Sequence, residues 1–321
     1  MKRILTCTLL MLVYTKTFSW GFYAHKRINA FAVFLLPPEM MVLYKPNISF
    51  LSEHAVDPDK RRYAVIEEGP RHYIDIDRYG KYPFPSLPRK WEEATKYYTE
   101  DTLTRYGIVP WWIQTMLYKL TFAFREKNQG KILKLSAEIG HYIADAHVPL
   151  HASSNHNGQL SGQHGIHGFW ESRIPELLAE KEWDFFIGKA DYLTNPLQFT
   201  WQRVLESAVA ADSVLLTEKK LSALFSEDQK FSFENRNGLI LRQYSSDYTI
   251  AYNKKMNNMV ERRMRQSVYA VASFWYTAWV NAGQPDLKNL SNKTFSELEL
   301  SEFEKLNSYW KSARITDKSC E

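Results

Sequence analysis

Cysteine is nearly absent: the 321-residue chain has two, Cys7 and Cys320. A disulfide-stapled scaffold is therefore excluded. Long apolar runs are missing too, since no stretch reaches the roughly 20 residues that a membrane-spanning helix requires. The chain contains no glycine-rich phosphate cradle, no HExxH pair, no internal repeat and no low-complexity tract. Alternating strand-like runs are scarce. Histidine is missing from residues 168–321, whereas nine occur before them, at 25, 54, 72, 141, 147, 151, 156, 164 and 167. What is present is an ordinary globular composition, 45% hydrophobic and 15% aromatic, which supplies ample surface to bury and excludes disorder.

The first nineteen residues read as a secretory signal. Lys2 and Arg3 form a charged start, an apolar stretch runs from Ile4 to Tyr14, and Thr17 and Ser19 are small residues flanking a cleavage site between Ser19 and Trp20. Cys7 lies too early in that stretch for a processed lipobox. The expected product is exported, periplasmic or secreted, with no stable membrane insertion. Cleavage removes Lys2, Arg3 and Lys16 and no acid, so a formal charge of +5 falls to +2. A charge that small is a weak argument for a polyanion binder. Cleavage also leaves Cys320 alone, without an internal disulfide partner.

Helical periodicity dominates the rest. The pattern predicts helices over 24–36, 90–106, 111–127, 131–148, 168–180, 197–225 and 247–281, stopped at Gly107, Pro149, and Gly283 with Pro285. Loops are expected at 45–88 and 152–167. Residues 286–321 read as a polar C-terminal appendage with room for one more helix. The expectation is an all-α chain, one helical domain over 20–285 with long loops.

The chemistry concentrates in GHYIADAHVPLH, where His141 and Asp145 are four apart on one helix face. His151 follows Pro149, where the helix must end. A polar loop leads to IHGFWES, in which His167 and Glu171 repeat the spacing. Imidazole and carboxylate are usual zinc ligands. Each pair alone reads as ordinary salt-bridge decoration, but their clustering within 31 residues favours metal binding. Upstream stand Asp57, fifteen residues before His72, and His25 near Trp20. A free terminal amine has a pKa near 8 and can yield its proton to a metal.

As an ordered set, the Trp followed by His, the Asp before a His-Tyr loop, the HxxxD helix ending in Pro-Leu-His and the downstream His-x-x-x-Glu resemble the zinc-dependent phospholipase C and S1/P1 nuclease superfamily. The resemblance covers about residues 20–285 and implies an all-helical domain binding three zinc ions. By position it implies one zinc held by Asp57, His72, His141 and Asp145, and a second by His151, His167 and Glu171. A third falls to the Trp20 amine and carbonyl, His25 and a bridging Asp145. Asp57 is also the candidate base. Lys60, Arg61 and Arg62 are candidate phosphate contacts, with a solvated basic run as the competing reading.

The implied activity is hydrolysis of a phosphodiester. Glu171, where the nucleases use Asp, and the absence of a DRGGN-like element between His151 and His167 favour a phospholipase C-like branch acting on phospholipid. The short Trp20 to His25 interval resembles the nucleases, so a single-strand nuclease or 3'-nucleotidase acting on nucleic acid is the alternative. A non-catalytic metal-binding protein is a further alternative. A structural zinc site normally has four protein ligands. The second site here has three assignable ones, which favours an enzyme.

Overall fold

The computed structural model describes residues 21–84, 86–236, 238–290 and 295–312. It is predominantly helical. In chain order the helices are α1 (Phe22–Ala32), α2 (Pro38–Tyr44), α3 (Ile48–Glu53), α4 (Asp57–Arg61), α5 (Trp91–Tyr97), α6 (Glu100–Arg105), α7 (Val109–Arg125) and α8 (Gln129–Asp145). They continue as α9 (Ile166–Gly168), α10 (Ile174–Glu182), α11 (Pro196–Ser222) and α12 (Glu227–Lys230), then α13 (Ser246–Lys255), α14 (Met259–Asn281) and α15 (Glu297–Ser312). No helix among the described residues is long and apolar enough to cross a membrane.

The core is built where α1, α7, α8 and α14 meet. Helix α8 is buried along most of its second half, from Ser136 to Asp145. The stripe of α14 that includes Val268, Val271 and Trp275 is buried, and the Trp275 indole donates to Ser136 O at 2.9 Å. Helix α1 crosses α8 so closely that a methyl group on Gly140 would lie 2.1 Å from Asn29 Oδ1. Asn29 uses that proximity, donating to Ala137 O at 3.0 Å and Leu51 O at 3.1 Å. The crossing brings His25, one turn before Asn29, onto His141, the neighbour of Gly140, with ring centroids 3.8 Å apart.

Several expected elements differ in detail. The stretch 90–106 breaks at Thr99 (φ 58°), giving α5 and α6. The stretch 247–281 breaks at Asn257 and Asn258 (φ 51° and 52°), giving α13 and α14. Asparagine tolerates the left-handed region better than most residues, so the two together end one helix and start another. The expected loop 45–88 contains α3, α4 and several 3-10 turns, which lets its polar backbone be satisfied locally. Between α12 and α13 lies an antiparallel hairpin, β1 (Phe231–Arg236) and β2 (Leu239–Tyr244), in the register Phe231 to Tyr244 and Glu234 to Leu241. The expected appendage carries α15, whose Phe303 packs 4.3 Å from the His54 ring while Phe295 stacks on Phe50 at 4.3 Å.

Candidate metal centre

Seven short stretches converge on one buried centre. Helix α1 contributes His25, α4 contributes Asp59, and the 3-10 turn Ile66–Arg71 delivers His72 at its end. The last turn and a half of α8 carries His141 and Asp145. The 3-10 turn Pro149–Ala152 presents His151, α9 presents His167, and a π-helical turn, Phe169–Arg173, presents Glu171. Three groups among the described residues bring their ligand atoms within 4.8 Å of one another: His25 with His141 and Asp145, Asp59 with His72 and His141, and His151 with His167 and Glu171. All are buried.

Asp145 joins the three. Its Oδ2 lies 3.0 Å from His72 Nδ1 and 3.2 Å from His141 Nε2. Its Oδ1 lies 3.4 Å from His25 Nε2 and 3.9 Å from His151 Nε2.

The protons decide what such a centre requires. His141 Nδ1 donates to Ala55 O at 2.8 Å, His151 Nδ1 to His72 O at 2.6 Å, and His167 Nδ1 to His156 O at 3.0 Å. In each neutral ring the Nε2 lone pair is then left pointing inward. The Nε2 atoms of His151 and His167 face each other at 3.1 Å, with Glu171 Oε2 3.0 Å from His167 and 3.5 Å from His151. Two lone pairs and a carboxylate at these distances repel unless a cation or a shared proton sits among them. Asp59 makes the same point differently, because both its carboxylate oxygens are buried without a hydrogen-bond donor. A donor set of imidazole nitrogen and carboxylate oxygen fits zinc, and backbone carbonyls orienting the far ring nitrogens are the usual support of metal-binding histidines.

The electrostatics agree. Burial pushes His25 and His167 down to about 4, so both are neutral imidazoles at neutral pH, as a metal ligand must be. Burial lowers His141 as well. His72 moves up, because the neighbouring carboxylates of Asp145 and Glu68 outweigh its burial. Burial would raise the Asp145 carboxyl, but the histidines packed around it hold it well below the usual carboxylate range. Asp59 is raised by burial.

The structure differs from the sequence expectation at Asp57. Its Oδ2 lies 2.6 Å from His54 Nδ1 and its Oδ1 accepts from Lys60 Nζ at 2.9 Å, so it faces away from the centre. Residues two apart on a helix point about 200° apart. Of the two acids in DPD, then, only one can face inward, and it is Asp59, 3.8 Å from His72 Nδ1 and 3.6 Å from His141 Nε2. Asp59, and not the expected Asp57, is thus the acid of this segment that stands in a group able to hold a metal. The basic run is also largely committed elsewhere. Lys60 is buried on Asp57, and Arg61 bonds Glu68, Glu138 and the Tyr142 hydroxyl. The charge of Arg62 acts on both Asp59 and His72. Trp20 lies outside the described residues.

One residue beside the centre had no counterpart in the sequence reading. Glu68 accepts from Arg61 Nε at 3.0 Å, from Arg71 Nη1 at 2.7 Å and from Tyr142 OH, and it places Oε1 3.6 Å from His72 Nε2. Its negative charge therefore stands beside the His72 ring, whose Nδ1 lies against Asp145. Its i, i+4 spacing to His72 was the available signal. His147 bonds Ile143 O within its own turn and lies outside the three groups.

No protein-family model matches the chain, and no curated protein matches it.

Proposed function

We propose that this chain is an exported, zinc-dependent phosphodiester hydrolase of the phospholipase C-like type. The observation that carries the reading is the junction at Asp145: three buried histidine and carboxylate groups meet on one side chain. A site built only to hold the fold closes one ion in four protein ligands. Groups of three donors set around one carboxylate suit several adjacent ions with coordination positions left for water and substrate. Bound zinc would supply hydroxide near neutral pH and neutralise charge on a phosphoryl oxygen.

The chain's own residues prepare that chemistry. Ala55 O, His72 O and His156 O hold His141, His151 and His167 in the tautomer that turns Nε2 inward. Glu68 sets a carboxylate 3.6 Å from His72 Nε2, on the far side of the ring from Asp145. Asp59, whose carboxylate has no donor of its own, is the base best placed to take a proton from an attacking water. Arg62 adds positive charge where a phosphate would arrive. Phospholipid is the favoured substrate, on the identity of Glu171. Single-stranded nucleic acid is the alternative, favoured by the short interval between Trp20 and His25.

The test is a paired assay of the protein beginning at Trp20, loaded with zinc, on phosphatidylcholine and on single-stranded DNA. Hydrolysis of the lipid is expected, and hydrolysis of the DNA alone would move the chain to the nuclease reading. Turnover of neither would overturn the proposal. In the same assay Glu171→Ala is expected to lose about one zinc and nearly all turnover, and unchanged turnover would count against the ligand set. An extra residue placed before Trp20 removes the terminal amine and is expected to lower zinc content by about one equivalent, read by elemental analysis.

A further inference from the structure

Glu171 stands on the one π-helical turn among the described residues, Phe169–Arg173. Such turns insert a residue into the helical repeat and re-aim the side chains that follow, and they need support to persist. Here the support comes from hairpin 231–244. Arg173, two residues after Glu171 and nearly buried, bonds both carboxylate oxygens of Glu234, Nη1 at 3.0 Å from Oε2 and Nη2 against Oε1. Its Nε donates to Tyr244 O at 3.0 Å. On the same turn the Phe169 ring lies 4.0 Å from Tyr244 and 5.0 Å from Tyr252. A buried guanidinium paired in this two-pronged way is directional, and losing one partner leaves an uncompensated charge in the interior. The hairpin gains in return, since a two-stranded ribbon is marginal by itself.

We infer that hairpin 231–244 is a clamp on the metal centre: through Glu234 and Tyr244 it fixes Arg173, and Arg173 is a positioning residue that sets the aim of Glu171 at the His151, His167 and Glu171 group. The inference rests on the metal reading above but not on the identity of the substrate. Partners that orient metal ligands typically contribute 10- to 100-fold in metal affinity. The clamp should therefore act on one zinc equivalent and spare those held around Asp145, His72 and His25.

The experiment is competition of the zinc-loaded protein with a graded series of chelators, with no substrate present. Glu234→Gln, which keeps the shape and removes the charge, and Arg173→Lys, which keeps the charge and removes the fork, are each expected to weaken one zinc equivalent by 10- to 100-fold and leave the others unchanged. In a His167→Ala background, which has already lost that equivalent, Arg173→Lys is expected to have no further effect on loading. Circular dichroism in excess chelator identifies a variant that has simply unfolded; if Arg173→Lys is one, Glu234→Gln alone decides. Wild-type affinity for every equivalent in both folded variants would overturn the clamp. So would uniform weakening of all equivalents. Failure of the hydrolase proposal looks different, as a wild-type protein that binds zinc and cleaves no phosphodiester.

Discussion

Asp57 and Asp59 separate the chemistry of the centre from its scaffold at the scale of single residues. Asp59→Ala removes a carboxylate that no donor satisfies, so it is expected to lose about one zinc equivalent and at least ten-fold in turnover while folding normally. Asp57→Ala strands a buried Lys60 and is expected to cost about 1–3 kcal/mol of stability with zinc content retained, measured by denaturant unfolding and elemental analysis. The acid dependence follows from His25 and His167. Their folded-state pKa values near 4 lie below the unfolded value near 6.5, so between these limits the unfolded chain binds more protons. Stability of the chelated protein is therefore full above about pH 6.5 and falls as pH drops toward 4. Denaturant midpoints at pH 7.5, 5.5 and 4.5 should decrease in that order, and a flat series would contradict the burial of neutral imidazoles. Legibility at this scale was uneven. The pairs His141 with Asp145 and His167 with Glu171 were readable because helical spacing alone places them on one face. Asp59 was not, because DPD offers two acids and only the rotation of α4 selects between them.

Elements explain why so few residues suffice. Helix α8 meets α1 closely because Gly140 admits Asn29, and Asn29 ties the two together, which brings His25 onto His141. Gly140→Ala is expected to cost about 1–3 kcal/mol, since a packed crossing cannot absorb a methyl group without backbone movement, and to lower the stacking of His25 on His141 with it. Helix α15 braces α3 and the turn before α4, and Phe303→Ala is expected to cost about 3 kcal/mol, read as a shift in urea midpoint at constant slope. The long helices were legible from their periodicity. The breaks at Thr99 and at Asn257 with Asn258 were not, because apolar spacing continues across them and backbone conformation alone marks the join. Hairpin 231–244 is a different omission: Asn237-Gly238 is a strong two-residue turn signal, overlooked because the flanking runs are short and only half apolar.

For the molecule as a whole, the histidine-poor half is not idle. Residues after 168 provide α14 in the core, α11 against the turn of His151, and the hairpin behind Glu171. The candidate ligands come from seven stretches between His25 and Glu171, as do the carbonyls that turn three of their rings, while the later half packs behind them; the ligands were visible as a motif and the packing only in three dimensions. The central claim is that the buried centre is a metal-dependent catalyst for phosphodiester cleavage. Its most direct test is phosphodiesterase activity of chelator-stripped protein, beginning at Trp20, as zinc is titrated back. The account predicts no turnover in the stripped protein and recovery that needs more than one zinc per chain. Turnover unaffected by stripping, or none at full zinc loading, would contradict it.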